Sequence, residues 1–161
     1  MALTTLVGWR PVGEVVVTAE RRIDRPAEEV YDAVADYADV RPRLLTEHYR
    51  DYQLREGGRG AGTRVHWVLQ ATRKRSRDCE LSVEEPEPGA LVERDANSTL
   101  TTTWTVQPAL DGASLVTVET RWQGAGGVGG FFERTFAPQG LRRIQEQVLE
   151  NLASALGRPP I

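Results

Sequence analysis

Acid–base chemistry near neutral pH calls first for histidine, and this chain of 161 residues has two, His48 and His66. His48 opens a segment with strand-like alternation and shares its parity with Tyr52 and Leu54, so it is expected to look inward near a rim. His66 alternates with Arg64, Val68 and Gln70, opposite Trp67, and is expected to point outward into solvent. Two histidines eighteen residues apart with no acidic ligand at fixed spacing make no metal motif. Arg134 could hold a carboxylate or enolate by charge-assisted hydrogen bonds, or pair with Glu133 on the surface. His48, Tyr52 and Arg134 are thus the candidates for proton transfer and enolate stabilisation, and their positions match no fixed catalytic motif.

Other catalytic constellations are missing or incomplete. The lone Cys79 allows neither an intramolecular disulfide nor a cysteine zinc site, and its place within a strand suits a small buried hydrophobe. There is no Gly-x-Ser-x-Gly nucleophile elbow. Gly124-x-Gly126-x-x-Gly129 has the letters of a dinucleotide fingerprint, but that mechanism needs a following parallel strand with an acidic residue at its end. Here Glu146 and Glu150 fall inside a helix and the segment lacks Gly-Lys-Ser/Thr. It reads as a loop that lets the last helix pack over a sheet, or that gates a pocket mouth. The basic run Arg73-Lys74-Arg75-Ser76-Arg77 sits at a hairpin tip without interleaved aromatics, so no nucleic-acid partner is expected. No cofactor and no metal are expected.

The elements that must position these residues fall into a simple order. Val15, Val17 and Ala19 alternate with polar neighbours in a first strand that runs to about Ile23. Pro26 then favours a helix start, Glu28 and Glu29 suit its positive end, and Val30, Val34 and Tyr37 make one stripe. A short helix or turn over Val40–Leu45, loosened by Pro42, follows. Six strands are expected next, over about Glu47–Arg55, Thr63–Thr72, a run carrying Cys79, Leu81 and Val83, Ala90–Asp95, a run carrying Leu100 to Val106, and a run carrying Val116 to Trp122. Their turns are Gly57–Gly62, Pro86-Glu87-Pro88-Gly89, Asn97-Ser98 and Asp111-Gly112. Phe132, Phe136, Leu141, Ile144, Val148, Leu152 and Ala155 mark a long closing helix, with a kink or break expected at Pro138 and Gly140.

A sheet with helices only at its start and its finish must wrap the last helix to bury its apolar face, and that arrangement commonly leaves a cavity. Trp67, Trp104 and Trp122 share the apolar face and could wall a cavity or fill the core.

Length and composition fit one soluble domain with a sizeable core, at 40% hydrophobic and 27% charged residues. A net charge of −3 supplies no field towards nucleic acid or anionic membrane. No apolar run is long enough to span a bilayer and residues 1–13 lack signal-peptide character, so a cytoplasmic protein is expected. The division expected is a flexible arm at 1–13, one domain at 14–156 and a tail at 157–161.

The phrase Ile23-x-x-Pro26-x-Glu28-x-Val30-Tyr31-x-x-Val34-x-Asp36, the Gly60-x-Gly62-Thr63-Arg64 entry to a strand, Thr103-Trp104-Thr105-Val106, and Leu141-x-x-Ile144-x-x-x-Val148-x-x-x-Leu152 occur in a telling order. Together they resemble the Bet v 1-like superfamily, also called START-like or SRPBCC, in its bacterial polyketide cyclase/dehydrase-type branch. The resemblance implies an α+β helix-grip fold: a seven-stranded antiparallel sheet around a long C-terminal helix, with two short helices between strands 1 and 2. It departs from the pattern at Arg25, where a capping Ser, Thr or Asp is more usual, with Asp24 as the substitute cap.

The resemblance further implies that an apolar or amphipathic molecule, such as a lipid, isoprenoid or polyketide, sits between sheet and helix. The residues expected around it are Tyr37, Tyr52, Trp67, Leu69, Leu81, Thr102, Trp104, Thr120, Trp122, Phe132 and Phe136. Binding or carriage is the leading expectation. A polyketide aromatase/cyclase or dehydratase is the alternative, and a protein-interaction or co-chaperone module the third. The chain is expected to act as a monomer or homodimer.

Overall fold

Period-two alternation in the middle of the chain becomes seven antiparallel strands in the computed structural model, which describes residues 13–72, 75–123 and 138–157. The strands are β1 (Glu14–Ile23), β2 (Tyr49–Glu56), β3 (Arg64–Thr72), β4 (Arg75–Glu84), β5 (Ala90–Asp95), β6 (Thr101–Pro108) and β7 (Ser114–Gln123). Their order in the single sheet is β1-β7-β6-β5-β4-β3-β2, so only the β1–β7 pair joins strands distant in sequence. The excursion between β1 and β2 carries α1 (Ala27–Val34) and α2 (Val40–Leu44), and α3 (Pro138–Leu156) closes the chain. This is the expected helix-grip arrangement.

One face of the sheet is apolar as the alternation requires. Val17 and Ala19 of β1, Val65, Trp67 and Leu69 of β3, Cys79, Leu81 and Val83 of β4, Trp104 and Val106 of β6, and Val116, Val118 and Trp122 of β7 are all buried. Against them α3 lays Leu141, Ile144, Val148, Leu149 and Leu152. Leu156 continues this stripe half-buried, whereas Ala155 is exposed. Pro138 is the first residue of α3 and not an interruption, because a missing N–H costs nothing in the first turn. Burial pushes the Cys79 thiol pKa well up, as suits an inert core sulfur.

Helix α1 starts at Ala27 with no side-chain cap, so Asp24 does not take that role and instead pairs with Arg22 at 3.3 Å. Arg25 reaches across to the far end of α3 and donates to the Gly157 carbonyl at 3.2 Å, where a cation meets the negative pole of the helix. Asn151 of α3 donates to the Leu44 carbonyl at 2.8 Å and so ties α3 to the end of α2.

The Gly57–Gly62 turn does more than join β2 to β3. Gly58 and Ala35 carbonyls accept from the amides of Tyr37 and Gly60, at 2.9 Å each, so the turn holds the α1–α2 junction. Gly57 has φ +68, where other side chains are strained, and a Cβ there would stand a tight 3.0 Å from the Thr63 Cα.

In β2 the strict alternation fails. A register shift between Arg50 and Gln53 coincides with Asp51 at φ 54, an extra residue in the strand. Tyr49 and Tyr52 therefore both meet the Trp67 ring, edge-on at 5.5 Å and stacked at 6.0 Å. The parity that grouped His48 with Tyr52 and Leu54 is lost, and Leu54 is exposed.

Candidate functional site

Among the described residues, α1, α2 and α3 lie over one face of the sheet, and a cavity remains between sheet and helices. Trp67 and Leu69 of β3, Glu93 of β5, Thr102 and Trp104 of β6, and Val118 and Thr120 of β7 form its floor. Leu141, Gln145 and Val148 of α3 form its roof, and Arg41, Leu45, Tyr49 and Leu100 complete the wall. The empty space amounts to about 530 Å³ counting the part open to solvent, and the centre of a water molecule can occupy about 40 Å³ of it. The walls thus stand close together, and a ligand of several rings must push them apart.

A buried polar cluster sits at one end. Arg41 is 1% exposed and its Nη1 lies 2.6 Å from Glu93 Oε2, a residue 2% exposed. Arg41 Nη2 donates to the Val34 carbonyl at 2.8 Å, and the guanidinium lies over the rings of Tyr37 and Trp104, 4.4 and 4.5 Å from their centroids. The Tyr37 hydroxyl donates to Glu93 Oε2 at 2.5 Å, and the Tyr52 hydroxyl donates to the Tyr37 carbonyl at 2.6 Å. Burial alone would lower the Arg41 pKa, but the Glu93 charge outweighs it and the guanidinium is held protonated. Burial is also the main reason the Tyr37 hydroxyl titrates well above its ordinary value. The charges of this buried pair match each other, as they must away from water.

The roof is polar at one point. Gln145 Nε2 donates to Thr120 Oγ1 at 2.6 Å, and Thr120 is hydrogen-bonded to Thr102 at 2.9 Å. Among the described residues, Gln145 Oε1, Trp104 Nε1 and Arg41 Nε are buried without a hydrogen-bond partner. All three belong to residues that line the cavity, where a bound molecule could meet them.

Of the residues anticipated from sequence, Trp67, Leu69, Thr102, Trp104 and Thr120 line the cavity. Tyr37 and Tyr52 stand behind that lining, as supports of Glu93 and Trp67, while Leu81 and Trp122 are packed in the core. Phe132, Phe136, Arg134 and the Gly124–Gly129 loop lie outside the described residues.

His48 does not look inward. It precedes β2, hydrogen-bonds Thr46 Oγ1 through Nδ1 at 2.9 Å, and lies in a groove with Gln147 and Asn151 of α3. His66 is on the outer face as expected, yet it is 9% exposed and not solvated. The β2 bulge brings the Asp51 carbonyl to its Nδ1 at 3.0 Å, and Asp78 Oδ1 lies 2.5 Å from Nε2. The Asp78 hydrogen bond is the main cause that raises the His66 pKa.

Arg41, Glu93 and Gln145 were not anticipated. Arg41 lies four residues after Tyr37, in a five-residue helix too short for a periodicity. Glu93 was masked by Val92 and Arg94, which blur the alternation of β5. Gln145 left the clearest trace, a polar residue four positions from both Leu141 and Leu149 within the buried stripe.

A family model described as polyketide cyclase / dehydrase and lipid transport matches residues 14–157. The chain belongs to that family. The expected Bet v 1-like, START-like placement is thereby borne out. The solution structure of KanY protein (ms6282) shares 49% identity with this polyketide cyclase / dehydrase family member, covers 89% of it and 98% of KanY, and has a TM-score of 0.80. The di-domain ARO/CYC BexL from the BE-7585A biosynthetic pathway is 22% identical over 93% of this chain and 52% of BexL, with a TM-score of 0.67. Major latex-like protein 151 from Panax ginseng is 11% identical over 91% of this chain and 99% of its own, also at 0.67. The last two likenesses show the fold alone. Among the curated proteins none matches the chain. Family membership supports hydrophobic-ligand binding or polyketide cyclisation without fixing a substrate. No helix among the described residues is long and apolar enough to cross a membrane.

Proposed function

We propose that this protein binds or carries a hydrophobic small molecule, of lipid, isoprenoid or polyketide type, in the cavity between the sheet and α3. The observation that carries the reading is a roofed cavity with Trp67, Trp104 and Tyr49 in its wall and unpartnered buried polar atoms on Trp104, Arg41 and Gln145. Aromatic walls supply most of the binding energy of such sites and a few polar groups fix orientation.

Cyclase or dehydratase chemistry is the second reading, and Arg41 with Glu93 at one end of the cavity favours it. Enolate stabilisation asks for an unspent positive charge, however, and the charge of Arg41 is already matched by Glu93 at 2.6 Å. An interaction module would draw on an exposed apolar patch, and the large apolar side chains exposed among the described residues are Leu54 and Leu110.

Native mass spectrometry of gently purified protein tests the proposal, by comparing intact and denatured masses. A co-purifying small molecule that is lost in Trp67→Ala and Trp104→Ala variants is the expected result. An intact mass equal to the denatured mass, even after incubation with lipid, isoprenoid and polyketide panels, would contradict it.

A further inference from the structure

We infer that the cavity selects a neutral ligand bearing a hydroxyl group and rejects the carboxylate of the same skeleton. This inference rests on the binding reading above and adds the polarity of the ligand. Arg41, a cation in the wall, invites the opposite assignment. Its charge is not available, because Glu93 Oε2 lies 2.6 Å from Nη1 and Nη2 is held by the Val34 carbonyl at 2.8 Å. Both Arg41 and Glu93 line the cavity, so an incoming anion meets an ion pair of zero net charge with a carboxylate at its side. A carboxylate that leaves water for such a place without a counter-charge loses its hydration uncompensated.

The unsatisfied atoms say what would be accepted. Trp104 Nε1 and Arg41 Nε are donors seeking an acceptor, and Gln145 Oε1 is an acceptor seeking a donor. Gln145 is anchored at its other end to Thr120, and through it to Thr102, so its free oxygen is held in position by the roof and floor together. A hydroxyl supplies both an acceptor and a donor. A carboxylate supplies no donor for Gln145 Oε1, and an ammonium supplies no acceptor for Trp104 Nε1 or Arg41 Nε. A pure hydrocarbon leaves all three atoms unpaired, or leaves them to trapped water. Sites built on such buried polar atoms discriminate strongly against analogues that cannot pair them.

The test is calorimetric titration of the full chain with three probes on one ring system: 2-naphthylmethanol, 2-methylnaphthalene and 2-naphthoate. The alcohol is expected to bind on the order of tenfold tighter than the hydrocarbon, and the carboxylate weakest. Gln145→Leu, close in shape, and Trp104→Phe should each abolish the preference for alcohol over hydrocarbon while hydrocarbon binding persists. Glu93→Gln, which releases the Arg41 charge, should raise naphthoate affinity. The inference is overturned if naphthoate binds as tightly as the alcohol, or if the alcohol binds no tighter than the hydrocarbon. Hydrocarbon binding without that preference defeats this inference alone, whereas no binding of any probe defeats the binding proposal as well.

Discussion

Two acid–base pairs on opposite faces of one sheet have nearly the same contact length and different surroundings. On the inner face Arg41 and Glu93 meet at 2.6 Å with side-chain exposures of 1% and 3%. On the outer face His66 and Asp78 meet at 2.5 Å, but Asp78 is 62% exposed and water shares its charge. The outer pair has a neighbour, Glu80, which is held by Arg55 at 2.8 Å and whose carboxylate lies near both His66 and Asp78. The inner pair is held by Tyr37, Trp104 and the Val34 carbonyl. Distance alone therefore says little about what an ion pair contributes, and burial decides it.

Removal of Glu93 is the strongest way to break this contrast. Glu93→Ala leaves the Arg41 charge buried and unmatched, and should cost about 3–5 kcal/mol of unfolding free energy in urea titration. Tyr37→Phe keeps the ion pair and deletes one hydrogen bond to the carboxylate, so a loss of about 2 kcal/mol is expected from the same measurement. On the outer face Asp78→Asn should cost under about 1 kcal/mol, because solvent screens the exposed partner. Equal losses in Glu93→Ala and Asp78→Asn would show that burial is not the deciding variable.

The smallest expected effect is a pH dependence. The His66 pKa is raised in the folded chain, chiefly by its hydrogen bond to Asp78. Its protonated form therefore favours folding, fully below the ordinary histidine value of about 6.5, and that contribution is lost as pH rises through the elevated folded value. Urea midpoints measured across this window should fall slightly with rising pH in the wild type. Asp78→Asn should flatten the decline.

These two clusters also mark how far the sequence could be read. Faces built on long alternating runs, such as Val65, Trp67 and Leu69 or Val116, Val118 and Trp122, emerged where the period placed them, because one slip would expose a whole apolar set. Tyr49 was illegible, since the inserted residue at Asp51 changes the parity of β2 and leaves no mark in composition. The same bulge sets the Asp51 carbonyl against His66, which is why an expected solvated histidine is buried. Arg41 and Glu93 are 52 positions apart, and only the tertiary fold brings them together. Of the cavity, then, the apolar wall was readable and the polar end was not, because one follows from local period and the other from tertiary pairing.

Chemical-shift mapping by NMR tests the central claim most directly, with 2-naphthylmethanol added to isotopically labelled protein. The account predicts that the largest shifts fall on the Trp104 indole N–H, the Gln145 side-chain amide and the backbone of Val118 and Val148, while His66, Asp78 and Glu80 on the outer face stay still. Shifts concentrated at His66 and Glu80, or scattered over both faces of the sheet with Trp104 unmoved, would contradict it.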